Sequence, residues 1–459
     1  MTTPTQTSPR RTDWWVCCMA GLIPATIFYW MLARTAVNIP IVDDYYAILN
    51  SLNIYSQSSN LGAKLGHIVN YQHNEYKLSF ESAIFAIEYE LSGKINFETL
   101  SILGNAFVAG IFALLVKTFK FSNDTRKSQL LLLLPVGLLL FQLQYASTLN
   151  FSMAGLQNLP VLAFSLLSIL LLTRNTAYSF ASACVAMVLS TAASGSGFLL
   201  GPIGTLMLAE QRRWRHIGIW AIVLALIAAI YFSNYNFHPS QLSQPAAAIQ
   251  PTEHLYVTYM LAFMGSSIAR YQGYMPSVAL GTGLLILWAF AAWRGYSKKN
   301  PTVFYFFLFL VLTAAGVSAI RSGLGLEQSL ASRYRIYSNL LLILSYIFVA
   351  ENYLQQMQRT LLKRALMGAT IICCLAFYVL SNQAGYRFLQ GRQQAVSLEM
   401  AAWQLSQSGA PAGAASPTEM NLDPAVSRQL AIGLYKPVTA VLTQSMKLGI
   451  YQPPVPVNH

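Results

Sequence analysis

Ile39-Pro40-Ile41-Val42-Asp43-Asp44-Tyr45-Tyr46 follows directly on an apolar run over residues 14–33. That run is long enough to cross a bilayer as a helix. Two adjacent carboxylates therefore stand at the lip of a membrane helix, where weak solvation raises a carboxylate's pKa and makes it a usable base. The plainer reading is that Asp44 caps a helix starting at Tyr45, since Asp is a favoured N-cap residue.

Composition sets the class. The chain has 459 residues, of which 55% are hydrophobic and only 10% charged. Soluble domains carry about 25% charged residues, so this is a polytopic all-α membrane protein. The net charge of +13 sits mostly in short clusters between apolar runs, the pattern of cytoplasmic loops, and nucleic acid is excluded as a partner. All five cysteines lie inside apolar runs without metal-ligand spacing, so no disulfide is expected.

Apolar runs predict about eleven transmembrane helices, at residues 14–33, 100–119, 129–145, 158–173, 178–193, 198–209, 217–232, 277–293, 303–320, 340–350 and 366–380. Residues 255–269 are apolar but short, and the charge bias puts them in or on the outer leaflet. The basic clusters place the N-terminus in the cytoplasm and, after an odd number of spans, the C-terminus outside. Residues 35–98 form the first outer loop, with short helices near 61–70 and 76–91, the second suited to lying on the membrane surface. Residues 1–381 make the membrane domain. Residues 382–459 are a small outer tail with helices at 393–407 and 424–435 and a small-residue linker at 408–417.

Positive residues should be rare outside, yet the loop after the ninth span holds Arg321, Arg333 and Arg335, with Tyr334 between the last two. Their donor forks suit phosphate oxygens, and Gly323 and Gly325 let backbone approach a ligand. Snorkelling to headgroups, or pairing with Glu327, is the plainer alternative. A second polar set lies in the first outer loop: His67, Tyr71, His73, Asn74, Glu75 and Lys77. A His-x-Glu pair can begin a metal site, but no helical histidine pair supports it and no metal is expected. Gln142, Gln144, Tyr145, Asn150, Gln157 and Asn158, at outer helix ends, line a hydrated cavity or simply tie helices together.

This layout resembles that of GT-C-fold glycosyltransferases, which take a sugar from a polyprenyl-phosphate carrier. Their pattern is an acidic pair in the first outer loop just past the first span, here Asp43-Asp44, followed by surface helices. His73-Asn74-Glu75-Tyr76-Lys77 is similar to a His-Asn-Glu-His-Arg run of bacterial membrane proteins so organised, with Tyr76 departing from it. Ala331-Ser332-Arg333-Tyr334 is similar to their Ser-Arg-Tyr run. The likeness covers most of the chain in layout and a few short motifs in residues.

The resemblance implies an inverting glycosyltransferase of the bacterial inner membrane working on the periplasmic side. Its donor would be a polyprenyl-phosphate sugar and its acceptor a surface glycan or a protein, with no cofactor. Asp43 would act as base and Asp44 in support. Arg321, Arg333, Arg335 and Lys77 would hold the lipid phosphate. Tyr45, His67, His73, Asn74, Glu75, Tyr145, Gln157, Asn158 and Tyr334 would line the sugar pocket. Two other readings stand beside it: a lipid-linked sugar flippase or transporter, which calls for broken or charged helices at mid-membrane, and a polysaccharide polymerase.

Overall fold

The computed structural model describes residues 14–121, 126–237, 253–269, 273–407 and 436–454. Helices make up nearly all of it. The expected linker at 408–417 and helix at 424–435 lie outside the described residues.

The first helix, α1, is Trp14–Thr35. Pro40 ends any continuation, because the residue before a proline is driven out of the helical region. After the acidic pair come a π-helical turn, Tyr45–Asn50, and α2, Ser51–Ser56. Next is α3, Leu61–Asn70, whose N-cap Asn60 accepts from Ala63 N at 2.8 Å. A hairpin follows, β1 at Gln72–His73 and β2 at Tyr76–Lys77, paired antiparallel with His73 opposite Tyr76. Asn74 turns it at φ 51°, a left-handed conformation that Asn tolerates. Then come α4, Ser79–Ser92, closed by Gly93 at φ 74°, and α5, Phe97–Thr118.

Beyond these lie α6 (Arg126–Leu140), α7 (Ala146–Leu149), α8 (Ser152–Leu172), α9 (Ala177–Ala193), α10 (Leu200–Glu210) and α11 (Trp214–Phe232). The remainder comprises α12 (Glu253–Met264), α13 (Met275–Trp293), α14 (Tyr296–Lys299), α15 (Pro301–Arg321), α16 (Arg335–Val349) and α17 (Thr360–Gln407). A last helix spans Lys436–Lys447.

Among the described residues, seven helices are long and apolar enough to cross a membrane: α5, α6 with its continuation to Leu149, α8, α11, α13, α15 and α17. The chain is thus an all-α membrane protein. The other expected spans are helices too, but α9 is a shorter apolar helix and α10 has 11 residues; α12, not expected to span, is likewise a short apolar helix. The eleventh expected span and the helix expected at 393–407 are one continuous helix, α17. Nothing in residues 381–392 breaks it, since Gly and Pro are the usual breakers and Gly385 and Gly391 alone cost too little.

Two compact units divide the chain. The first comprises residues 1–29, 108–144 and 250–382; the second comprises 30–107, 145–249 and 383–459. In the first, Glu351 is buried in a π-helical turn, Ala350–Leu354, after α16. It accepts from Lys120 N at 2.8 Å, Asn300 Nδ2 at 2.9 Å and Tyr296 Oη at 2.8 Å. A buried carboxylate needs such partners to offset its desolvation, and meeting them here ties three chain segments together. In the same unit α12 crosses α13 so closely that a methyl group on Gly281 would overlap the Leu261 carbonyl oxygen.

The second unit has its own core. Ile48, Leu49, Leu52, Phe85, Phe97 and Leu156 pack with Val396, Met400 and Trp403 of α17 and with Val438, Leu442, Ile450 and Tyr451. Val396, Met400, Trp403, Val438, Leu442, Ile450 and Tyr451, all within the expected outer tail, are therefore part of this core. Leu389, Val396, Met400 and Trp403 repeat at helical spacing, and such a stripe must be covered.

Gly281→Ala should lower the stability of the first unit by about 1–3 kcal/mol through overpacking. Gly283→Ala, where a methyl meets nothing within 4 Å, should not. Thermal unfolding in detergent checks this; equal melting of the two variants would contradict the close crossing.

Candidate functional site

The acidic pair occupies a tight turn whose two carboxylates face opposite fates. Asp44 N donates to Ile41 O at 3.0 Å, closing a four-residue turn with Val42 and Asp43 at its centre. Val42 has φ 51°, a position where such turns normally carry glycine. A β-branched residue there is strained, and strain of this kind gathers at functional sites.

Asp44 is buried, 1% exposed. Its Oδ2 accepts from Ile41 N at 3.1 Å and its Oδ1 from Met153 N at 2.9 Å. Met153 is in the first turn of α8, whose own N-cap, Phe151, offers no side-chain bond. Asp44 thus caps a helix over a hundred residues away, not the one it precedes. A carboxylate at a helix N-terminus satisfies orphan N–H groups and suits the dipole. Arg392 of α17, 6% exposed, adds a favourable charge and donates to Asn150 Oδ1 at 3.3 Å. Burial pushes the Asp44 carboxyl up to about 7. The Met153 and Ile41 N–H groups and the Arg392 charge oppose this rise, and the neighbouring Asp43 charge adds to it.

Asp43 is the available member of the pair. Its side chain is 38% exposed, and its Oδ1 lies 3.6 Å from His73 Nε2. His73 owes its place to the hairpin, which residues just after α11 hold down. Gln72 Nε2 donates to Asn236 O and Asn236 N to Gln72 Oε1, both at 2.9 Å, while Tyr235 Oη donates to Glu75 O at 2.9 Å. Lys77 is 1% exposed, and its Nζ donates to Asn70 Oδ1 at 3.1 Å and Ser233 O at 2.5 Å. Its ammonium is therefore a hairpin anchor, engaged inside the fold, where a lipid phosphate would need it free. Asn74 donates from Nδ2 towards His73 Nε2 at 3.2 Å.

Other expected pocket residues divide clearly. His67 lies against α2, with Nε2 2.9 Å from Ser51 Oγ and its ring 4.9 Å from that of Tyr71; burial lowers its pKa. Tyr45 and Tyr145 are buried core residues at 9% and 0% exposure, so neither lines an open pocket. Gln157 and Asn158 stand one turn along α8 from Met153, Asn158 bonding its own helix at Ala154 O.

The arginines belong to the first unit, and the acidic pair to the second. Arg321 ends α15, Gly325 turns the loop at φ 96°, and Arg333 and Arg335 flank the start of α16. The Arg333 guanidinium lies 5.1 Å from the Tyr334 ring centre, and Tyr334, buried, packs on Phe263 of α12 at 4.7 Å. Tyr334 is thus the platform beneath Arg333. Arg335 Nη1 donates to Gln144 O at 3.5 Å. Gln144 Nε2 in turn donates to Asn339 Oδ1 at 3.0 Å, so Gln144 ties helices together. Among the described residues, no group of three His, Cys, Asp or Glu side chains could hold a metal.

No protein-family model matches the sequence, and no curated protein or solved structure matches it either.

The two aspartates should separate in stability. Asp44→Asn places an amide donor against one of two backbone N–H groups and should cost about 1–3 kcal/mol, whereas Asp43→Asn should stay within about 0.5 kcal/mol. A carboxyl whose folded pKa is raised gives stability that is lost as pH climbs from about 4 towards 7, and Asp44→Asn should remove that slope. Melting curves from pH 4.5 to 8 read both effects; equal losses in the two variants would contradict the assignment.

Proposed function

We propose that the protein is a GT-C-type membrane glycosyltransferase that moves a sugar from a polyprenyl-phosphate carrier to a glycan or protein acceptor. The observation that carries this reading is the exposed carboxylate of Asp43, aimed by a strained turn and set 3.6 Å from His73, beside a membrane helix. Asp43 takes the proton from the acceptor hydroxyl as that oxygen attacks the anomeric carbon. The bond from that carbon to the phosphate oxygen breaks as the new glycosidic bond forms, so the configuration inverts. The departing lipid phosphate keeps the electron pair.

In this scheme His73 Nε2, which accepts from Asn74, receives the proton from Asp43. Asp44 does no chemistry; it fixes the turn. By the resemblance in sequence, Arg321, Arg333 and Arg335 are the candidates to bind the phosphate, since cationic donors are worth most as charge develops on the leaving oxygen. The transition state resembles an oxocarbenium ion, as in glycoside chemistry generally. The reaction would run at the periplasmic face of a bacterial inner membrane, with the chain's N-terminus in the cytoplasm.

Asp43→Asn should lower transfer from a polyprenyl-phosphate sugar by at least about a hundredfold, the scale of general base catalysis, with folding intact. Arg333→Ala should raise the donor KM about tenfold or more and leave the acceptor KM unchanged, on the scale of one charge-assisted hydrogen bond. Normal turnover by the first variant, or unchanged donor KM in the second, would overturn the respective role.

A further inference from the structure

Residues 436–454 are bound to the chain on both sides of the acidic turn, at Asn38 before it and at residues 45–53 after it. The helix Lys436–Lys447 packs on the π-helical turn Tyr45–Asn50 and on α2. Ser445 Oγ, fully buried, donates to Asn53 Oδ1 at 2.9 Å, and Asn53 Nδ2 donates to Val441 O at 3.4 Å. Beyond that helix Ile450 O accepts from Ile95 N at 2.8 Å. Tyr451 Oη donates to Asn38 O at 2.8 Å, and its ring packs edge-on against Phe97 at 5.5 Å.

Asn38 is the junction. Its Oδ1 accepts from Phe97 N at 2.9 Å, and its Nδ2 donates to Gln452 O at 3.5 Å. These bonds meet the backbone four residues before Val42, the one strained position of the acidic turn. A β-branched residue at positive φ persists only where its surroundings over-determine it. Asp44 supplies such restraint from within the turn, and the chain's end supplies it from outside.

We propose that residues 436–454 are a positioning strap whose bonds at Asn38 and Asn53 hold the Val42 turn in its strained form and so aim Asp43. The role in turnover rests on the reading of Asp43 as the working carboxylate; the hold on the turn does not. Tyr451 and Ser445 are positioning residues, since neither needs to touch a substrate.

The test uses the full chain in lipid nanodiscs and amide hydrogen exchange of the peptide covering residues 38–47. Tyr451→Phe with Ser445→Ala removes two buried donors and should speed exchange there about tenfold or more, with exchange in α9 unchanged. Ser445→Thr, which keeps the hydroxyl, should behave as the parent chain. Adding Val42→Gly to the double variant relieves the strain and should return exchange to within about threefold of the parent, the sign expected if strap and strain oppose each other. In turnover, the double variant should lose kcat with donor KM unchanged, and Val42→Gly should restore kcat. Unchanged exchange over 38–47 in the double variant, or no recovery with Val42→Gly, would overturn the proposal. Should the parent chain transfer no sugar, the proposed activity fails, while the exchange results still decide the strap.

Discussion

A single buried carboxylate organises the second unit. Asp44 bridges the Ile41 amide of its own turn and the Met153 amide at the start of α8. Burying an ion costs several kcal/mol even after relaxation. Two N–H donors, a helix N-terminus and the Arg392 charge oppose that cost, although burial outweighs them and keeps the carboxyl's pKa raised. Because the partners come from distant segments, satisfying Asp44 also fixes where those segments meet. The turn, the π-helical residues after it and the first turn of α8 stand or fall as one.

This constraint divides labour between two neighbouring acids that look equivalent in sequence. Asp44 is consumed by structure. Asp43, on the next residue of a strained turn, is left facing solvent with His73 beside it. The hairpin that carries His73 is anchored by Lys77 and by residues 233–236, so the spacing of Asp43 and His73 is set by the fold and does not depend on their own weak attraction. A carboxylate held in place by its surroundings loses little entropy when a substrate arrives, which is what the proposed transfer would require of its base. Both π-helical turns in the described residues, Tyr45–Asn50 and Ala350–Leu354, lie beside or contain a buried carboxylate. Such turns are rare, and here each coincides with a polar junction between segments.

Much of the helical layout was readable because long apolar runs have few alternatives. The acidic pair and the His73 motif were readable as polar residues just past a long apolar run. What each would do was not. The plain reading of Asp44 as a cap was right in kind, but the capped helix is α8, and no local pattern announces a partner 109 residues on. Tyr45 and Tyr145 look like pocket residues by type, and Lys77 like a phosphate ligand, and by burial they are core and anchor residues. Arg392 was missed although its signal was present: it interrupts the apolar stripe of Leu389, Val396, Met400 and Trp403, where a charge needs a buried partner. The return of residues 436–454 left no periodic trace, because its register is set by bonds to Asn38, Asn53 and Ile95, near the opposite end of the chain.

Carboxyl footprinting compares the two aspartates directly. The intact protein would be treated with a water-soluble carbodiimide and an amine, and the peptide containing residues 39–46 sequenced by mass spectrometry. Modification confined to Asp43, with Asp44 reacting only after unfolding, is the result expected if the second acid is locked between Ile41 and Met153. Labelling of Asp44 at a rate equal to or above that of Asp43 in the folded protein would contradict it.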